Sequence, residues 1–69
     1  MRLITIGEAA KLLSVDPATL RRHETTDGCW IELYGHRIRV HRMSPSPKAQ
    51  RRFDEAEIYR VLARLAKAR

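Results

Sequence analysis

The run Ile4-Thr5-Ile6-Gly7-Glu8-Ala9-Ala10-Lys11-Leu12-Leu13-Ser14-Val15-Asp16-Pro17-Ala18-Thr19-Leu20-Arg21-Arg22-His23-Glu24 holds two helix starts in close succession. Thr5-Ile6-Gly7-Glu8 is a capping-box pattern: the Thr5 hydroxyl can accept from the backbone of Glu8 while Glu8 reaches back, and Ile4 stands where a hydrophobic staple sits. Ala9, Leu12 and Leu13 follow i, i+3, i+4 spacing, which predicts a first helix over about Ile6 to Leu13 with one face committed to a core. Ser14-Val15 interrupts the pattern. Asp16 then caps a second helix, roughly Pro17 to Glu24, with Pro17 at the first helical position, where its missing N–H is not needed.

An apolar-faced helix, a three-residue connection carrying Val15, and a second short helix form the sequence pattern of a helix-turn-helix over 5–24. With Leu20 turned inward beside Val15, Leu12 and Leu13, the rotation of 100° per residue sends Ala18, Thr19, Arg21 and Arg22 outward. A small residue permits close approach to a groove, Thr can touch a thymine methyl or a phosphate, and Arg offers a bidentate contact to guanine or a phosphate clamp. These four residues are the expected recognition surface for double-stranded DNA.

Outward from this unit, Thr25-Thr26-Asp27-Gly28 is turn-forming. Cys29-Trp30-Ile31-Glu32-Leu33-Tyr34 and Arg37-Ile38-Arg39-Val40-His41-Arg42-Met43 read as strands. Ile31, Leu33, Ile38 and Val40 would face the core, and Arg37, Arg39 and His41 the other side. Gly35 marks a bend, and Ser44-Pro45-Ser46-Pro47-Lys48-Ala49-Gln50 a proline-interrupted tip. The hairpin turn can lie at either place; a three-stranded meander using both, within a basic wing over 29–53, is the preferred arrangement. Asp54-Glu55-Ala56-Glu57 is a second capping-box match with Phe53 and Ile58 as the staple pair. Ile58, Val61, Leu62 and Leu65 then form the apolar stripe of a C-terminal helix over 54–67, with Arg60, Arg64 and Lys67 opposite. The expected fold class is therefore α+β, a small winged helix-turn-helix of three helices plus a two- or three-stranded antiparallel wing.

Composition narrows the functions. Sixty-nine residues make one small domain with little room for a deep cleft, and the net charge is +6. That excess is concentrated: residues 35–52 contain Arg37, Arg39, Arg42, Lys48, Arg51 and Arg52 and no acid. Clustered cations beside a near-neutral remainder are the footprint of a polyanion binder. A lone Cys29 makes neither an internal disulfide nor a zinc site, and no run approaches a membrane span. The chain reads as cytoplasmic and nucleoid-associated, with no cofactor, metal or catalytic residue expected. Asp54, Glu55 and Glu57 are explained as helix-start acids rather than catalytic carboxylates, and His36 and His41 are wrongly spaced to share one face of a strand.

The blocks ITIGEAAKLLSVDPATLRRHE and RRFDEAEIYRVL together resemble the winged-helix domain shared by MerR-type regulators and phage or plasmid excisionases. The resemblance implies that the second helix enters the major groove through Thr19, Arg21 and Arg22, and that Arg51 and Arg52 contact the backbone from the wing. The wider basic ribbon, Arg37, Arg39, His41, Arg42 and Lys48, extends that wing surface. His23 stands where the family often carries a large aromatic, which implies a partly packed side chain. The region 28–50 is longer than the family's usual short hairpin, and no long coiled coil follows the last helix, which favours the excisionase-like or small accessory members.

The resulting expectation is a sequence-specific duplex-DNA binder, a small transcriptional regulator or an architectural factor in recombination. Self-association or cooperative binding on DNA is expected of so small a reader. The alternative is an adaptor whose basic ribbon docks an acidic partner, such as a recombinase, in a recombination, packaging or transcription complex. RNA binding is disfavoured because Trp30, Tyr34, Phe53 and Tyr59 make no evident stacking platform.

Overall fold

The computed structural model describes residues 1–42, 44 and 50–67. Its elements in chain order are β1 (Leu3–Thr5), α1 (Ile6–Leu13), α2 (Pro17–Arg22), β2 (Trp30–Leu33), β3 (His36–Arg39), β4 (His41–Arg42), β5 (Arg51–Asp54) and α3 (Glu55–Lys67). The chain is an α+β fold of three helices and antiparallel sheets.

Local chemistry sets the helix starts. Thr5 Oγ1 accepts from Glu8 N at 3.1 Å while Glu8 Oε1 accepts from Thr5 N at 3.2 Å, so the capping box is complete. Asp16 Oδ1 accepts from Ala18 N at 2.9 Å and Pro17 occupies the first turn of α2. Between the helices, Ser14 adopts φ 58°, Val15 N donates to Ala10 O at 3.0 Å and Ser14 N to Lys11 O at 3.2 Å. This is a Schellman ending with serine in the left-handed position usually held by glycine.

The second helix is shorter than the expected Pro17–Glu24. Glu24 lies in a β-bridge with Ile31, and the His23 carbonyl accepts from Glu32 N at 3.0 Å, so the backbone after Arg22 is claimed by the edge of β2. The ribbon also differs from a single meander. β2 and β3 form a two-stranded hairpin closed by Tyr34-Gly35, with φ 50° and 78°, the positive pair of a type I′ turn. Val40 then leaves this ladder, buried and with its N–H on Cys29 O at 2.9 Å. β4 starts a separate three-stranded sheet of order β1-β5-β4. Leu3–Thr5, too short to show alternation, pairs with β5 in the register Ile4↔Phe53.

One core joins these layers. Ala9, Ala10 and Leu13 of α1, Leu20 of α2, Ile58 and Val61 of α3, and the inward residues Ile4, Ile31, Leu33, Ile38, Val40 and Phe53 are all buried. Leu12, Val15, Leu62 and Leu65 pack half-buried around them. α3 opens with Asp54 Oδ1 accepting from Ala56 N at 3.1 Å, but Glu57 does not complete a capping box. Its Oε1 accepts from Arg39 N at 2.8 Å, tying the helix to the end of β3. No described helix is long and apolar enough to cross a membrane.

Candidate nucleic-acid interface

Helix α2 is held by Leu20, which is 1% exposed, and this anchor fixes the direction of its outer side. Ala18, Arg21 and Arg22 are exposed and Thr19 is half-buried. Arg22 Nη2 donates to Thr19 Oγ1 at 3.2 Å, which lays one guanidinium along the helix surface. Arg21 has no carboxylate partner among the described residues and lines a shallow depression with Thr5, Ile6, Gln50, Arg51 and Arg52. A helix side chain and the start of β5, far apart in sequence, thus share one surface.

Arg52 is oriented from its own strand: Nη1 donates to Arg51 O at 3.0 Å and Nη2 to Gln50 Oε1 at 2.8 Å. Arg51 and Arg42 are held by Glu24. Glu24 Oε1 accepts from Arg51 Nε at 2.7 Å and from Arg42 Nη2 at 3.0 Å, and Glu24 Oε2 accepts from Arg51 Nη2 at 3.0 Å. The Arg51 hydrogen bond holds the Glu24 carboxyl below the usual carboxylate range against a smaller opposing effect of burial, and Glu24 in turn raises Arg51. These two expected wing contacts are therefore first a fastening, joining the end of α2 to β4 and β5.

The remaining ribbon residues are dispersed. Arg37 and Arg39 lie on the β2–β3 hairpin, in a different sheet from β4–β5. Arg37 Nη2 donates to Glu32 Oε1 at 3.3 Å, and the Arg39 guanidinium sits 5.1 Å from the centroid of the Trp30 ring. His41 is half-buried on β4 opposite Arg52. Lys48 lies outside the described residues. His23 is exposed rather than packed, with Nδ1 2.9 Å from the Glu32 carbonyl, an arrangement that requires the proton on Nδ1. Sequence reasoning missed Gln50 as the residue that aims Arg52 and Glu24 as the organiser of two arginines. Neither has a local signal.

Each carboxylate has a partner within the chain, although Glu8, Asp16, Asp27 and Glu32 are exposed. Glu8, Asp16 and Asp54 accept backbone N–H groups at helix starts, and Asp27 accepts from Thr25 Oγ1 and Cys29 N. Glu24, Glu32 and Glu55 face arginines, and Glu57 takes Arg39 N. Hydrogen bonds from Thr5 and Thr25 keep the Glu8 and Asp27 carboxyls below their ordinary values. Among the described residues no three of His, Cys, Asp or Glu are grouped to hold a metal ion.

No protein-family model, curated protein or solved structure matches this chain.

Proposed function

We propose that this chain binds double-stranded DNA as a small winged helix-turn-helix module, with α2 in the major groove and the β4–β5 ribbon as the wing on the adjacent backbone. The observation that carries the reading is the shared surface of Arg21, on α2, and Arg52, on β5, in a chain of net charge +6. A groove-facing helix flanked by a cation from a second element is the minimum geometry for reading bases while fixing register on phosphates. Ala18, Thr19, Arg21 and Arg22 carry the base and nearby phosphate contacts. Arg52 carries the wing contact, and Glu24 sets the wing's position through Arg42 and Arg51. A single module of this size reads one short site, so a regulatory or recombination-accessory role requires repeated sites or neighbours on the DNA.

Fluorescence anisotropy on labelled random duplex and single strand at two salt concentrations tests this. Duplex affinity should fall with a log–log salt slope of roughly −4 to −5 for about five neutralised phosphates. The Arg21→Ala/Arg22→Ala variant should lose most of it while keeping its melting temperature. A folded protein that ignores duplex at low salt would end the proposal.

A further inference from the structure

We infer that the outer face of α3 is a second surface for the phosphate backbone of duplex DNA, so that one chain links two duplex segments. The linking rests on the DNA reading of α2 and β5 given above; the α3 surface stands without it.

α3 buries Ile58 and Val61 and turns Ala56, Tyr59, Arg60, Ala63, Arg64 and Lys67 outward. Arg60, Arg64 and Lys67 stand at i, i+4 and i+7, which makes one stripe along about 10 Å of helix. Ala56 and Ala63 beside them permit close approach. Tyr59, 51% exposed, offers a hydroxyl able to donate to a phosphate oxygen.

This stripe carries a single sign. A helix face that is merely solvated usually intersperses acids, whose i, i+4 pairs with Lys or Arg support the helix. Here both acids of α3 lie in its first turn and are committed elsewhere: Glu57 Oε1 accepts from Arg39 N at 2.8 Å, and Glu55 faces Arg2 at 3.7 Å. Arg2, Arg37, Arg42 and Arg51 each face a carboxylate, whereas Arg60, Arg64 and Lys67 have none among the described residues. The helix dipole accounts for cations in the last turn, Arg64 and Lys67, but not for Arg60 a turn earlier.

The occupant follows from what the face has and lacks. Three cations over about 10 Å match the roughly three phosphates that one strand of a duplex presents along that length, at about 3.4 Å each. A protein partner would need an apolar centre to its interface, and apart from Tyr59 the face offers only alanine methyl groups. A membrane would need the apolar stripe of α3 to insert, and Ile58 and Val61 belong to the core.

The surface is separate from the one beside Arg21. Phe53 on β5 shares the core with Ile58 and Val61, and its neighbour Arg52 points to the opposite face of the strand. α1 packs against both α2 and α3, and among the described residues none of α3 lines the depression that Arg21 and Arg52 share. A duplex seated on α2 and β5 therefore leaves the outer face of α3 to another.

A bridging assay tests this. Beads carrying one random-sequence duplex should capture a second, fluorescent duplex through the protein at low salt. Capture should rise with protein, pass a maximum, and fall when excess protein occupies each duplex separately. Arg60→Ala/Arg64→Ala/Lys67→Ala should abolish capture while keeping the melting temperature and most of the affinity for a single duplex. Arg60→Lys/Arg64→Lys should preserve capture, because a point charge suffices for a phosphate. Arg21→Ala/Arg22→Ala should lose capture yet keep weak duplex binding, whose log–log salt slope shrinks by about 3 when the α3 substitutions are added.

Undiminished capture by the α3 variant would overturn the proposal. So would a wild-type protein whose duplex binding depends on Arg21 and Arg22 but which captures no second duplex. Capture that persists at excess protein, with self-association in sedimentation, would overturn it by placing the link between copies of the chain. Binding to phosphatidylserine vesicles, or to a Glu-rich peptide, that the α3 variant loses while capture and salt slope stay unchanged would give the face to a membrane or to an acidic protein instead. Duplex binding that Arg21→Ala/Arg22→Ala leaves intact and the α3 variant removes would reject the α2 reading and keep the α3 surface.

Discussion

Glu24 takes the Arg51 guanidinium through two hydrogen bonds, Oε1 to Nε at 2.7 Å and Oε2 to Nη2 at 3.0 Å, and so fixes the end of α2 to β5. The Glu24 side chain is 16% exposed, and Arg42 shares the same carboxylate. Glu24→Gln keeps the shape and removes the charge that the partly buried Arg51 and Arg42 guanidinium groups share. A loss of about 1–3 kcal/mol is expected, read as a shift of the urea midpoint with unchanged m. Because the same contact joins β4 and β5 to the end of α2, the proposed DNA reading expects duplex affinity to fall even where the protein remains folded.

The same carboxylate gives stability a pH signature. Its folded value is depressed below the ordinary 4.5, so the unfolded chain takes up a proton first as pH falls. The contribution is fully present at neutral pH and is lost as pH drops below about 4.5 towards the folded value. Glu24→Gln should flatten that limb of a stability-versus-pH curve, measured by denaturant titration at stepped pH. An unaltered acid limb would show that Glu24 is not responsible.

Ser14 closes α1 with φ 58°. A left-handed residue with a Cβ is disfavoured relative to glycine, although glycine also has more freedom to lose. Ser14→Gly is expected to stabilise by about 0.5–1 kcal/mol, raising the melting temperature by several degrees in a chain of this size. Ser14→Val, β-branched at the same φ, should lower it.

Arg21 and Arg52 should separate by the kind of loss they produce. On the proposed DNA reading Arg52→Ala removes a phosphate contact, so affinity should fall similarly on all duplexes and the salt slope should shrink by about one. Arg21→Ala should narrow the gap between preferred and random sequences if it reaches a base edge, by about 1–3 kcal/mol. Site selection on a random duplex library, followed by anisotropy with both variants, distinguishes the two.

Phe53 is the largest side chain buried to 1% and pairs in register with Ile4 across β1–β5. Phe53→Ala should cost about 3–5 kcal/mol. For a domain of 69 residues that is much of the total stability, so circular dichroism should show substantial unfolding at room temperature.

What the sequence by itself determined is local. Thr5 with Glu8 and Asp16 with Pro17 fixed where α1 and α2 begin, because a cap and the groups it satisfies lie within three residues. The periodicity of Ile58, Val61, Leu62 and Leu65 fixed the inner face of α3, and the alternation of Ile38 and Val40 fixed the buried side of the ribbon. Those residues needed no knowledge of the rest of the chain. Only the tertiary structure decided that the ribbon divides at Val40, that Leu3–Thr5 joins β5, that Glu57 leaves its own helix start for Arg39, and that Glu24 gathers Arg42 and Arg51. Each is a pairing across many residues, and in each the local pattern admits several partners. The choice falls to whichever combination buries the common apolar face while leaving no polar group unmet. The same distinction separates the cations: all read alike in sequence, and the fold alone ties Arg42 and Arg51 to Glu24 and leaves Arg21 open beside Arg52.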